Sequence, residues 1–104
     1  GKPLREFMHA DDLADACVFL MNHYDEPGFI NIGTGEDMEI RELALLVKKI
    51  VGYEGAIEHD LSKPDGTPRK LMDVSRLHAL GWKHKIGLEE GIVAVYGEYV
   101  RRET

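Results

Sequence analysis

The chain has 104 residues, of which 43% are hydrophobic and 31% are charged, and its formal net charge is −6. This composition is that of an ordinary globular protein, so it excludes collagen-like and disordered chains, and the length predicts a single domain over residues 1–104. The acidic charge disfavours nucleic acid and anionic membranes as partners, so an anionic ligand would need a local cluster of cations.

Cysteine content and hydropathy narrow the class of protein further. Cys17 is the single cysteine, which rules out an internal disulfide. No apolar run approaches the roughly 20 residues of a membrane span, and no targeting segment is evident. We therefore expect a cytoplasmic protein. The start Gly1-Lys2-Pro3 is unlike a translation start, so we also expect a piece of a longer protein.

The first half of the chain predicts two short extended segments around a helix. Residues 4–9 are expected to be extended, and residues 29–32 form a compact apolar run that predicts a strand. Between them, residues 12–24 predict a helix with Asp11 or Asp12 as its N-cap.

The clearest helix is predicted for residues 40–51. Its apolar residues recur at helical spacing, and Gly52 is suited to the position just past a helix end. Glu39 stands where Ser or Thr would normally cap, so we expect this N-terminus to be less well secured.

The second half predicts two short strands and two helices. Residues 56–59 and 70–73 are the candidate strands, and residues 75–80 and 88–100 are the candidate helices. The expected fold class is thus a small, helix-dominated α/β domain whose short strands are too few for a sheet of their own.

Residues 62–70, here called the charged arm, carry no apolar side chain except those of Pro64 and Pro68. The prolines pre-set backbone dihedral angles, which reduces the entropy lost when a loop binds a ligand. The arm is therefore a candidate site for a polar, anionic ligand, although a solvated turn is the alternative. Its charged residues are Lys63, Asp65, Arg69 and Lys70.

Arg5 is a second candidate, because it lies at the start of an extended segment ahead of a turn into a helix. There a guanidinium can present a planar fork to phosphate oxygens. The alternative is a surface arginine paired with Glu6 or with an aspartate of the turn.

The other polar groups predict structural roles. We expect Asp11 and Asp12 to be capping groups beside His9, and no metal site is predicted because the histidines lack ligand spacing. The loop "NIGTG" lacks the third glycine of a dinucleotide fingerprint and the lysine of a P-loop. It is expected to be a tight turn whose N–H groups could face a ligand. Cys17 is expected to be inert core.

Three ordered blocks carry a resemblance to a known family. "PLREFMHADDLADA" is similar to the Arg-Glu-Phe/Tyr-x-His-x-Asp-Asp-x-Ala segment of extended short-chain dehydrogenases acting on nucleotide sugars, and "INIGTG" with "IRELA" resembles their next block. "SKPDGTPRKLMDVSRLHALGW" closely resembles the GDP-L-fucose synthases, which are GDP-4-keto-6-deoxymannose epimerase-reductases. The similarity runs along the whole chain.

The resemblance implies a C-terminal substrate lobe without its Rossmann lobe. In the family, the Rossmann lobe holds NADP(H) and a Ser/Tyr/Lys set for reduction, and an upstream Cys and His serve the epimerisation. None of these motifs lies in this chain, so it has no expected catalytic or cofactor-binding residue. Cys17 and His9 inherit no catalytic role, and the isolated chain is expected to be an inactive part of an oxidoreductase and isomerase.

Two positions match substrate contacts of the family directly, and a third matches a lysine of the same arm. Arg5 resembles the arginine that binds the sugar nucleotide, and Asp65 resembles an acid of the loop that also touches it. Lys70 matches a lysine of the same arm, expected near the nucleotide or its phosphates. A diphosphate suits a bidentate guanidinium, whereas a carboxylate accepts bonds from base or ribose donors.

Two other hypotheses stay open. The chain could be the substrate part of another nucleotide-sugar epimerase or dehydratase, or it could be a stand-alone nucleotide-binding module without catalysis. In addition, three amphipathic helices with few strands to cover them predict an exposed apolar surface through which the isolated chain self-associates.

Overall fold

The computed structural model describes residues 1–103, which contain four helices and three two-residue strands. The helices are α1 (Ala10–His23), α2 (Ile40–Val51), α3 (Ser75–Ala79) and α4 (Leu88–Glu103). The strands are β1 (Leu4–Arg5), β2 (Met38–Glu39) and β3 (Arg69–Lys70). The predicted α/β class, dominated by helices, is confirmed.

The three strands form one small mixed sheet in the order β2-β1-β3. β1 is antiparallel to β2 and parallel to β3. The expectation that the strands could not make a sheet of their own was wrong, because segments remote in sequence pair on both sides of β1. Short runs of two residues carry too little periodicity for such pairing to be predicted.

Helix α1 starts earlier than predicted and has a different N-cap. His9 is the cap residue, and its Nδ1 accepts a hydrogen bond from Asp11 N at 3.0 Å. The Asp12 carboxylate is buried and accepts bonds from Lys85 N at 3.2 Å and from Ile86 N at 2.9 Å. The prediction of Asp11 or Asp12 as the cap was therefore wrong, and Asp12 instead anchors the chain before α4.

Helix α2 has the predicted bounds and the predicted ends. Gly52 follows it with φ 80°, a left-handed conformation that glycine adopts without steric strain. Glu39 occupies the cap position and makes no side-chain capping bond, as expected. Its carboxylate pairs with Arg41 at 2.8 Å instead.

Two predicted strands are absent from residues 1–103. Residues 29–32 are irregular: Phe29 is largely exposed, while Ile30 and Ile32 pack against the core. Residues 56–59 are also irregular. The apolar residues of the first segment serve core packing without a strand partner, whereas the second segment is mostly exposed. The predicted strand 70–73 is present as β3, one residue earlier and shorter.

The C-terminal helices agree with prediction except at their ends. Helix α3 ends one residue before the predicted limit, and α4 continues three residues beyond residue 100. Leu77 of α3 is fully buried with Ala16 and Trp82, and this small core is joined by Met8, Phe19, Leu20, Ile30 and Ile32. Cys17 lies outside the core and is exposed, so its assignment as core was wrong.

The molecule is a thin slab with extents of 49 × 37 × 17 Å. Within residues 1–103, no helix is both long enough and apolar enough to cross a membrane. The small sheet lies where the charged arm returns to the N-terminal segment, and this junction positions the candidate site.

Candidate functional site

Arg5 and Lys70 lie side by side on the small sheet. They are partners in the parallel register of β1 and β3. Since side chains alternate between the faces of a strand, the pair leaves the sheet on one face, whereas Leu4 and Arg69 leave it on the other. The fold thus makes neighbours of two cationic residues that lie 65 positions apart in sequence.

The Arg5 guanidinium is half-buried under the charged arm. Its Nη1 donates a hydrogen bond to Leu4 O at 2.7 Å. A Cβ added to Gly66 would lie 3.1 Å from Arg5 Nη2, so the arm backbone lies close against the guanidinium. The alternative interpretation, an arginine paired with Glu6 or with a turn aspartate, is not what the structure has, because no salt bridge involves Arg5 within residues 1–103.

Asp65 is exposed on the charged arm, directly before Gly66. Among the described residues, neither Asp65 nor Lys70 forms a salt bridge. The fold therefore brings Arg5 and Lys70 together, with Asp65 on the loop that crosses Arg5.

Arg69 behaves differently from the other charges of the arm. Its Nε lies 2.8 Å from Oδ2 of Asp37, whose side chain is only 11% exposed. Arg69 is thus already paired with a carboxylate of the protein. It is therefore not among the cations of the charged arm that are available to an anionic ligand.

Glu6 is a residue whose importance sequence reasoning missed. Its carboxylate accepts bonds from Thr34 N at 3.1 Å, Gly35 N at 3.0 Å and Met72 N at 2.9 Å. A Cβ on Gly33 would lie 2.9 Å from Glu6 Oε2, so a larger residue there would displace this carboxylate. The N–H groups of the glycine turn thus bind the Glu6 carboxylate of the same chain and not a ligand. In the sequence, the position of Glu6 beside Arg5 was the one sign of this contact.

A cavity of about 170 Å³ lies beside Arg5. His84 is another lining residue that was not predicted, and its buried Nδ1 has no hydrogen-bond partner among the described residues. The polar and charged lining residues are Arg5, Thr34, Glu36, Asp37 and His84. The cavity therefore combines one guanidinium with two carboxylates and an imidazole.

Local hydrogen bonds hold carboxylates at both ends of the charged arm. The Ser62 hydroxyl and then the Ser62 N–H lower the pKa of Asp60, and the Ser75 N–H lowers the pKa of Asp73. Both groups therefore stay ionised at neutral pH. Within residues 1–103, no cluster of three His, Cys, Asp or Glu side chains is arranged to hold a metal ion.

Comparisons with known proteins give a consistent picture. Residues 1–33 match the NAD dependent epimerase/dehydratase family. The chain is 55% identical to GDP-L-fucose synthase 1 of Arabidopsis thaliana, with 97% of this chain and 31% of that protein covered. It is 47% identical to GDP-L-fucose synthase of Escherichia coli K12, covering 99% of this chain and 35% of that protein.

Among solved structures, the fold is similar to that of a GDP-mannoheptose C4 reductase from Campylobacter jejuni with NADP bound. The TM-score is 0.84 at 47% identity, and the match covers 96% of this chain and 32% of the reductase. The chain thus spans about a third of the length of the relatives it matches.

Proposed function

Because residues 1–33 match the NAD dependent epimerase/dehydratase family and the chain is homologous to part of GDP-L-fucose synthases, we propose that it is their nucleotide-sugar-binding part. The enzyme would convert GDP-4-keto-6-deoxymannose into GDP-L-fucose by epimerisation and NADPH-dependent reduction. The observation that carries the proposal is that two cationic residues, Arg5 and Lys70, are partners in the sheet, with the charged arm packed against Arg5.

Each of the three residues has a role that its chemistry suits. The Arg5 guanidinium is a planar donor for two diphosphate oxygens, and the Lys70 ammonium adds a second positive charge beside it. Asp65 is an acceptor on the loop above and would take donors of guanine or ribose. In a chain with a net charge of −6, this local pair supplies the attraction that the whole molecule lacks.

The residues of this chain do not fit NADP(H). A dinucleotide pyrophosphate needs free backbone N–H groups at a glycine turn, and those of Thr34 and Gly35 already bond to Glu6. We therefore assign the cofactor, the reduction and the epimerisation to residues outside this chain, with the cofactor-binding lobe as its partner in cis. The cytoplasmic location expected from the sequence stays a prediction.

A second candidate function differs from the first in the sugar of the substrate. The similar reductase from Campylobacter jejuni is named for a GDP-mannoheptose, so a GDP-linked heptose is the alternative substrate. The nucleotide is the same in both cases, which is consistent with a site built around diphosphate and base contacts.

The decisive experiment uses the full-length protein that contains this chain. NADPH oxidation is followed with GDP-4-keto-6-deoxymannose, with a GDP-keto-heptose and with a UDP-keto-sugar. Turnover of the first substrate with formation of GDP-L-fucose supports the proposal. Preference for the heptose favours the alternative, and preference for the UDP-sugar contradicts both.

The isolated 104-residue chain is predicted to be inactive in the same assay, since it offers neither a hydride-carrier site nor a Tyr-x-x-x-Lys pair. NADPH oxidation by the purified chain that depends on the keto-sugar nucleotide would contradict this prediction. The full-length protein, measured in parallel, is the positive control.

A further inference from the structure

Asp37 and Arg69 form an ion pair that links the two edges of the sheet. Asp37 immediately precedes β2, Arg69 opens β3, and both strands flank β1. The Nε–Oδ2 distance is 2.8 Å, and the Asp37 side chain is 11% exposed. The Arg69 side chain is 58% exposed, so only the Asp37 end of the pair is shielded from solvent.

Strand β3 depends on side-chain support because it has only two residues, both exposed. Its backbone attachment is short and begins where Leu4 N donates to Pro68 O at 2.9 Å. Beyond the strand, Met72 N donates to Glu6 Oε1 at 2.9 Å. Lys70 therefore lies between two residues that are held by carboxylates. Asp37 pairs with Arg69, and Glu6 accepts the bond from Met72 N.

The electrostatics of the site oppose the strand pairing that these carboxylates support. Arg5 and Lys70 are like charges directly opposite each other in the ladder, an arrangement that is destabilising in itself. Asp37 also lines the cavity beside Arg5. Without Arg69, its carboxylate would be unpaired next to the guanidinium and would compete with an anionic ligand.

We propose that Asp37 and Arg69 are positioning residues of the nucleotide-sugar site. The pair holds β3 in register so that Lys70 stays beside Arg5, and Arg69 neutralises Asp37, one of the two carboxylates that line the cavity beside Arg5. Neither side chain contacts the ligand. This inference rests on the proposed function, because the diphosphate is the ligand that the two cations would bind.

Kinetics of the full-length protein give the first test. Arg69→Ala is expected to raise KM for the GDP-sugar roughly tenfold and to change kcat less than about threefold, since ground-state binding is what is lost. Asp37→Ala should raise KM less, because it removes the opposing carboxylate together with the ion pair. The double variant should be no worse than Arg69→Ala, as expected for two partners of one interaction.

Two further variants control for folding and for general effects of charge. Arg69→Lys keeps the cation, so its KM should lie between those of wild type and Arg69→Ala. This variant keeps the test informative if Arg69→Ala fails to fold. Lys49→Ala breaks the exposed ion pair with Glu89, whose N–O distance is 3.1 Å. That pair joins α2 to α4 away from the sheet, so KM should be unchanged.

Hydrogen exchange of the ligand-free protein gives the second test. Amides of residues 69–72 should exchange faster in Arg69→Ala than in wild type, and the Lys49→Ala protein should match wild type. A raised KM with unchanged exchange would overturn the inference, because Arg69 would then act on the ligand directly.

The remaining outcomes separate this inference from the proposed function. A wild-type protein that turns over the GDP-sugar, with KM unchanged in Arg69→Ala, overturns the inference alone. A wild-type protein that binds no GDP-sugar overturns the proposed function and the inference with it.

Discussion

Carboxylates hold this chain together at the scale of single residues. Glu6 bonds to the glycine turn and to Met72, Asp12 bonds to the chain before α4, and Asp37 pairs with Arg69. Each contact joins segments more than 25 positions apart. The 19 acidic residues are therefore more than a solvated surface, because several of them join remote segments of the chain.

Replacing Arg5 is the most direct test of the proposed ligand contacts. In the full-length protein, Arg5→Ala should weaken transition-state binding by about 2–4 kcal/mol, as for the loss of one partner in a charged hydrogen-bonded contact. Asp65→Ala should have a smaller effect because Asp65 is exposed. The measurement is kcat/KM, with Arg102→Ala on the far end of α4 as the control. Unchanged kcat/KM in both variants would refute the site.

Trp82 reports on the ionisation of Asp15. Trp82 Nε1 donates to Asp15 Oδ2 at 2.9 Å, and this bond, aided by Lys85, lowers the pKa of Asp15. The stabilisation is therefore present above the pKa that Asp15 has in the unfolded chain, and it is lost as pH falls through the lower pKa of the folded state.

We expect the fluorescence of Trp82, the single tryptophan, to change at a pH below the ordinary range of an aspartate. The change should be absent in Asp15→Asn, which cannot titrate. A wild-type profile identical to that of Asp15→Asn would refute the assignment. Asp11→Asn, which alters an acid without contact to Trp82, is the matched control.

At the scale of elements, α4 approaches the N-terminus of α1 through a glycine. A Cβ on Gly91 would lie 3.3 Å from both His9 Cδ2 and Ile86 Cγ2, whereas a Cβ on Gly97, in the same helix, would meet nothing within 4 Å. His9 is the N-cap of α1, so this contact joins the cap of one helix to the body of another.

The two glycines predict opposite effects of alanine. Gly97→Ala should raise the free energy of unfolding by about 0.5–1 kcal/mol, because alanine loses less backbone entropy in a helix. Gly91→Ala gains the same propensity but crowds His9 and Ile86, so overpacking of about 1–3 kcal/mol should leave it less stable than wild type. The measurement is the free energy of unfolding in urea of the two variants and of wild type. Equal stability for both would show that the α1–α4 contact is loose.

At the scale of the whole molecule, the slab exposes more surface than a monomer of its size should. Its accessible surface is 7769 Å², against about 5,900 Å² expected from its mass. Its radius of gyration is 16.5 Å, against about 13 Å expected for this length. A groove of about 640 Å³ between α2 and α4 is lined by Leu43, Val47, Val51, Ile92, Val95 and Tyr99, among others.

The isolated chain is therefore predicted to self-associate through this groove. The excess surface of one chain is more than the roughly 800 Å² that each partner buries in a standard protein–protein interface. Light scattering over a wide concentration range should show mass rising with concentration. Val95→Lys, in the groove, should suppress the association, whereas Val93→Lys on the same helix lies outside the lining and should not. A strictly monomeric chain would contradict the prediction.

The sequence by itself determined the elements whose signals are local. Helix α2 and its glycine stop were predicted to the residue, since an apolar period of 3.6 and a left-handed cap lie within one contiguous segment. The same local information gave α3 and α4 to within a few residues. It failed for residues 29–32 and 56–59, because an apolar run alone does not reveal whether a strand partner exists.

The tertiary structure alone decided how distant segments meet. The pairing of Arg5 with Lys70, the attachment of Glu6 to the glycine turn and the ion pair of Asp37 with Arg69 depend on contacts between remote positions, and no local pattern encodes such contacts. The sequence thus identified Arg5, Asp65 and Lys70 as candidates through family resemblance. The fold made two of them neighbours in the sheet, because chain pairing, unlike helix periodicity, is a property of the whole molecule.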